Sequence, residues 1–189
     1  MKKHVYPLET DNFYHVFNQG IDGCKIFFDN ENYDYFLKLL ENKILSVAEL
    51  YCYCLLPNHF HLLLKVRPAK EIREKIEEKE DVGITQIISK QFSNFFNSYS
   101  QAINKKYHRT GKLFEQPFRR IIQESDQQLM RTVYYIHNNP RKHNLHDDIF
   151  EYPYSSLSQI CKRSCGRIDS LKTIQLFGDF EHFEKIHSA

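Results

Sequence analysis

In the segment Leu55-Leu56-Pro57-Asn58-His59-Phe60-His61-Leu62-Leu63-Leu64-Lys65, two histidines stand one residue apart. In a strand, side chains alternate between faces, so His59 and His61 project the same way, about 7 Å apart at Cα. Phe60, Leu62 and Leu64 project the other way and suit a core. Two imidazoles held on one face of a rigid strand make half of a divalent-metal site. The spacing alone equally allows a pair of surface imidazoles with no ligand.

A second group lies in Leu129-Met130-Arg131-Thr132-Val133-Tyr134-Tyr135-Ile136-His137-Asn138-Asn139-Pro140. At 3.6 residues per turn, Leu129, Val133 and Ile136 share the stripe that faces a core. Tyr135 and Asn139 are four apart and so neighbours on one flank, with Gln128 and Thr132 beside them. A tyrosine hydroxyl next to a ligating amide has the makings of a nucleophile at a metal. The same pattern fits a tyrosine that covers the edge of the core, and periodicity does not choose between Tyr134 and Tyr135.

A third feature is charge. The formal net charge of the 189 residues is only +2, which by itself announces no nucleic-acid binder. Yet between Tyr99 and Arg120 the chain carries Lys105, Lys106, Arg109, Lys112, Arg119 and Arg120 against the single acid Glu115. That run has the footprint of a phosphate-contacting surface, although a solvated loop and helix end would read the same way. Tyr107, Phe114 and Phe118 lie within it as candidate stacking platforms for unpaired bases.

Hydrophobic residues make up 41% and charged residues 26%, an ordinary balance for a globular domain, and the length suits one core rather than two. No apolar run approaches the roughly 20 residues that span a bilayer. The start, MKKHVYPLET, lacks the apolar core of a signal peptide, and the five cysteines are odd in number. Reduced thiols in a cytoplasmic protein are therefore expected. Cys52 and Cys54 read as core, and Cys161 with Cys165 lacks the second pair that a zinc site needs.

The elements that must position these groups follow from periodicity. Phe13 to Asn18 alternates and is rich in aromatic and β-branched residues, which predicts a strand. Residues 30–45 have helical spacing. Leu50 to Leu56 and His59 to Val66 predict two strands joined at Pro57-Asn58, a turn dipeptide. The charged stretch after Pro68 is a solvated helix or a mobile loop. Thr85 to Ile103 predicts a helix, and Leu113 to Ile122 a short strand. Ser125 and Gln128 form an S-x-x-Q box that opens a further helix, which Pro140 must end. This order is the split β-α-β arrangement: an α/β (α+β), ferredoxin-like antiparallel sheet with helices on one face and the other face free for a site.

An ordered set of motifs resembles the HUH superfamily of single-tyrosine transposases, most closely its REP-associated branch and related insertion-sequence enzymes. The set comprises Tyr14-His15-Val16-Phe17-Asn18-Gln19-Gly20, the His-hydrophobic-His segment from Tyr53 to Leu64, and Phe96-Asn97. It continues with Tyr107-His108-Arg109-Thr110-Gly111-Lys112-Leu113-Phe114, Tyr135-Ile136-His137-Asn138-Asn139-Pro140, and Tyr154-Ser155-Ser156-Leu157. The resemblance implies that His59 and His61 ligate a divalent metal, Mg2+ or Mn2+, and that Tyr135 rather than Tyr134 is the nucleophile. It implies that Asn139 stands where many relatives carry a glutamine ligand, and that Gln19 replaces an arginine common in relatives. It further implies nicking and rejoining of hairpin-forming single-stranded DNA through a 5′-phosphotyrosine, by a monomer or homodimer associated with the nucleoid. The nuclease domain is expected over 1–145, with 146–189 an extension packed on it. Three other readings remain: a non-catalytic nucleic-acid-binding module, a phosphoesterase that uses water, and a decayed, inactive copy.

Overall fold

Phe13–Gln19 forms β1, the strand predicted from alternation. The computed structural model describes residues 6–77, 81–163 and 166–188. Asn30–Leu39 is α1, capped by Asp29, whose side chain accepts from the Asn32 amide, and it runs on through a wider π-helical turn at Leu40–Ile44. Ala48–Leu56 and His59–Val66 are β2 and β3, joined by the Pro57-Asn58 turn. The charged stretch after Pro68 begins as a helix, α2 (Ala69–Ile76), anchored by buried Ile72. The long α3 spans Ile84–Lys106, and β4 is Arg119–Gln123.

The strands form one antiparallel sheet in the order β2-β3-β1-β4, with β1 paired to both β3 and β4. This is the split β-α-β arrangement that the sequence predicts. Val16, Leu62 and Phe60 turn toward α1 and α3, where Phe60 meets Phe36 at 5.0 Å and Phe96 at 6.0 Å between ring centroids. Phe36, Phe60, Phe92, Phe95 and Tyr99 are wholly or almost wholly buried there, so aromatic burial supplies much of this layer's stability.

The fourth strand differs from expectation. Residues 113–118 bridge only at Phe114 to Gly20 and then run irregularly to Arg119. Pro117, with no amide hydrogen, sits where a ladder bond would be needed.

The expected S-x-x-Q box opens α4 (Asp126–His137): Ser125 Oγ accepts from the Gln128 amide. Its return arm lands one residue early, since Gln128 Oε1 accepts from the Glu124 amide at 2.8 Å. α4 lies on the sheet face opposite α1 and α3. Pro140 does stop α4, but the chain resumes at once as α5 (Asn139–Lys142), where a proline in the first turn costs no hydrogen bond. That restart carries Lys142 and His143 back over the sheet.

The last third covers the free edge of β2. The Leu55 amide donates to Tyr154 O at 2.9 Å, the Ser156 amide donates to Tyr53 O at 3.0 Å, and Thr173 Oγ1 donates to Tyr51 O at 2.7 Å. An edge paired in this way offers no template for another strand. The short helices α6 (Leu157–Cys161), α7 (Ser170–Gln175) and α8 (Phe180–His187) complete the layer. Cys52 and Cys54 are buried free thiols, as read from the sequence, and Cys161 is free; Cys165 lies outside the described residues. Among the described residues no helix is long and apolar enough to cross a membrane.

Candidate active site

The pairing of β1 with β3 sets His61 opposite Phe17 and His59 opposite Gln19. Their side chains leave the sheet on the face under α4, with ring centroids 5.2 Å apart. Tyr135 of α4 stands over them, its ring 5.4 Å from His61 and 5.8 Å from His15. At 37% exposure it is one of the few large aromatic side chains left open to solvent. Tyr134 points away and packs 5.8 Å from His187. A cleft of about 310 Å3 gathers His59, His61, Tyr135, Gln19, Arg119 and Lys142.

Each histidine is held by its Nδ1. Asn58 Oδ1, which can only accept, lies 2.7 Å from His59 Nδ1, while Asn58 Nδ2 donates to Gly23 O. His59 therefore carries its hydrogen on Nδ1 and keeps the Nε2 lone pair. His61 Nδ1 lies 3.0 Å from His15 Nε2. In both rings Nε2 has no hydrogen-bond partner among the described residues. Such outer partners fix the ring orientation and tautomer of metal-binding histidines.

Burial keeps these rings neutral. It pushes His15 down to about 4, and it pushes His59 down to about 4 with help from His143 and Lys142. His61 is driven well below the ordinary range by burial, then by His15 and His59. Neutral imidazole is the ligating form.

Asn139 is wholly buried and does not line the cleft. Its Nδ2 donates to Tyr135 O at 2.7 Å, which leaves Oδ1 buried without a partner among the described residues. A ligated cation would satisfy such an orphaned oxygen. The two neutral imidazoles suit a divalent ion, whereas Asn139 is not brought beside them in the cleft. Among the described residues no group of three His, Cys, Asp or Glu side chains is arranged so that it could hold a metal ion.

The six basic residues do not lie on one surface. Arg119 reaches the cleft, on the same sheet face as His59 and His61. Arg120 takes the opposite face, over the Phe118 ring at 4.7 Å and donating to Tyr6 O. Lys106 is bound to Asp29 at 2.8 Å and Glu31 at 2.6 Å. Arg109 lies against Cys24 Sγ, whereas Lys105 and Lys112 are exposed. The stacking platforms are also mostly spoken for. Phe114 is buried, Tyr107 stacks on Phe28 with its hydroxyl donating to Asp29, and Phe118 stacks on Phe92.

Sequence reasoning missed His15, His143 and Lys142. His15 shares the outward face of β1 with Phe17, a parity visible in the sequence, but its approach to His61 depends on register. His143 lies 4.7 Å from His59, and Lys142 Nζ lies 4.8 Å from the Tyr135 ring centroid. At position 19, Gln19 Nε2 donates to Glu115 Oε1 at 2.5 Å, and Arg119 pairs with the other oxygen at 3.4 Å. A guanidinium thus stands in the cleft from β4 although position 19 carries none.

No model of a known protein family and no curated protein matches the chain. Among solved structures, one of a REP-associated tyrosine transposase bound to a REP hairpin is similar, with a TM-score of 0.63 and 14% identity. The likeness covers 86% of this chain and 87% of that one. At this identity the two share a fold, a four-stranded antiparallel sheet with helices, over most of both chains.

Proposed function

We propose that this chain is a single-tyrosine DNA nuclease and strand transferase that nicks and rejoins hairpin-forming single-stranded DNA. One observation carries the reading: the solvent-open Tyr135 stands over two neutral, oriented histidines in one cleft. The fold shared with a hairpin-bound transposase supports it.

A scissile phosphate in the cleft meets the Tyr135 hydroxyl on one side and Arg119 and Lys142 as neutralising charges nearby. Tyr135 Oη attacks phosphorus in line, forming a P–O bond as the P–O3′ bond breaks. The phenolic proton passes to solvent, and the departing oxygen takes one up to become a free 3′-hydroxyl. The DNA keeps its 5′-phosphate as an ester of Tyr135, so attack by another 3′-hydroxyl reverses the step and rejoins strands. His59 and His61 through Nε2 would hold a Mg2+ or Mn2+ ion, which when bound neutralises charge on the phosphate oxygens, and Asn139 Oδ1, which does not line the cleft, would have to turn toward it to join them.

The chemistry of the ends tests this. Nicked hairpin DNA treated with protease should prime a polymerase from its new 3′ end, while its new 5′ end, capped by a peptide, resists a 5′-phosphate-dependent exonuclease. A 5′ end that the exonuclease digests freely would mean that water was the nucleophile.

A further inference from the structure

One acid stands in the cleft under Tyr135. Among the described residues that line it, Glu115 is the only carboxylate, beside the cations Arg119 and Lys142. The backbone fixes where it stands. The Glu115 amide donates to Gln19 O at 3.0 Å, Asn18 Nδ2 donates to Glu115 O at 3.1 Å, and Phe114 bridges to Gly20. Residues 114–115 are thus tied to the end of β1. An acid at the mouth of a cleft that takes a phosphodiester repels its ligand unless it serves another group there.

Both carboxylate oxygens are engaged. Oε1 accepts from Gln19 Nε2 at 2.5 Å, and Oε2 accepts from Arg119 Nη2 at 3.4 Å. The Arg119 side chain is 51% exposed, and this is the one contact its guanidinium makes among the described residues. Its remaining N–H groups are left for a ligand. An exposed ion pair at this distance adds little to stability. What it supplies is direction, since a carboxylate pinned to β1 restricts where the planar guanidinium fork can aim. Because Glu115 also balances its charge, Arg119 brings aimed donors to the cleft more than net charge.

We propose that Glu115 is a positioning residue for the nicking step: it holds the Arg119 guanidinium at the phosphate that Tyr135 attacks, and Gln19 holds Glu115 in turn. Gln19 pairs with His59 across the β1–β3 ladder, so the arginine is tied to the same strand ends that carry the histidines. Its free N–H groups then meet the non-bridging oxygens, where charge develops as Tyr135 Oη bonds to phosphorus. The proposal rests on the nuclease reading and adds to it how the arginine is aimed.

The test is single-turnover nicking of end-labelled hairpin DNA by the full chain as wild type, Glu115→Ala, Glu115→Gln, Arg119→Ala and the Glu115→Ala/Arg119→Ala double variant. Binding is measured separately with Tyr135→Phe added to each. Glu115→Ala should lower the rate at saturating DNA about tenfold or more without weakening binding. Glu115→Gln, whose amide oxygen still accepts from Arg119, should recover most of that rate. Once Arg119 is alanine, removing Glu115 as well should cost nothing further. A saturated rate unchanged in Glu115→Ala means that the acid only lines the rim, and it overturns the proposal. So does a loss from Glu115→Ala that is equally large in the Arg119→Ala background, as a general folding defect would give. Either result leaves the nuclease reading intact. If wild type nicks no hairpin, the nuclease reading and the proposal fall together.

Discussion

His15 Nε2 lies 3.0 Å from His61 Nδ1, so a histidine on β1 determines how a histidine on β3 can present its other nitrogen. With the His61 hydrogen on Nδ1, its Nε2 lone pair faces the cleft under Tyr135. Asn58 serves His59 in the same way. The site is thus two histidines, each with its own outer partner.

His15→Phe, which keeps the ring but not the acceptor, should therefore lower Mn2+ affinity by about 10- to 100-fold, the usual cost of losing such a partner. Calorimetric titration of the free protein measures it. His15→Gln, whose amide oxygen still accepts, should recover part of the loss. Unchanged affinity in His15→Phe would remove His15 from the site.

The cleft charge makes a second prediction. Lys142→Ala should lower the slope of log affinity for single-stranded hairpin DNA against log salt by about one, because Lys142 lines the cleft with no ion pair among the described residues. Lys106→Ala should leave that slope near the wild-type value, because Asp29 and Glu31 already balance its charge. Anisotropy titrations from low to moderate salt separate the two.

Acid should loosen the C-terminal layer. His137 Nδ1 lies 2.9 Å from His187 Nε2, His137 Nε2 lies 2.9 Å from Ser156 Oγ, and His187 Nδ1 donates to Phe183 O. Burial holds His187 down at about 4 and His137 well below the ordinary range. An unfolded histidine titrates near ~6.5, so below that pH the unfolded chain binds more protons than the folded one. The contribution is fully present above ~6.5 and is lost as pH falls toward 4, on the order of 3 kcal/mol for His187. Urea midpoints at pH 7 and pH 5 should differ in wild type, and the difference should shrink in His187→Phe, with the remainder due to the other buried histidines.

Phe60→Ala should cost about 3–5 kcal/mol, since the ring is wholly buried against Phe36, Phe96 and Phe114. Chemical denaturation measures the loss, and a cost below about 1 kcal/mol would mean that this layer repacks freely.

Much of this was legible in the sequence because it rests on local patterns. Alternation marked β1 and β3, the Pro57-Asn58 turn fixed the hairpin of β2 with β3, and Ser125 with Gln128 marked the start of α4. The parity of His59 and His61 followed from strand geometry alone. Whatever depends on contacts between distant segments was not legible. The His15–His61 pairing needs the register of β1 against β3, and the loss of Lys106 to Asp29 and Glu31 needs α3 packed beside α1. Arg119 and Arg120 looked equivalent in a basic run, yet one strand step puts them on opposite faces. Pro140 marked the end of α4 but hid the restart that delivers Lys142 and His143.

The most direct test of the central claim is a covalent adduct. Wild type, Tyr135→Phe and Tyr134→Phe are incubated with end-labelled single-stranded hairpin DNA and Mn2+, then run on a denaturing gel. A labelled protein–DNA species is expected in wild type and Tyr134→Phe, and none in Tyr135→Phe or without metal. An adduct that persists in Tyr135→Phe, or nicking that proceeds there undiminished, would contradict it.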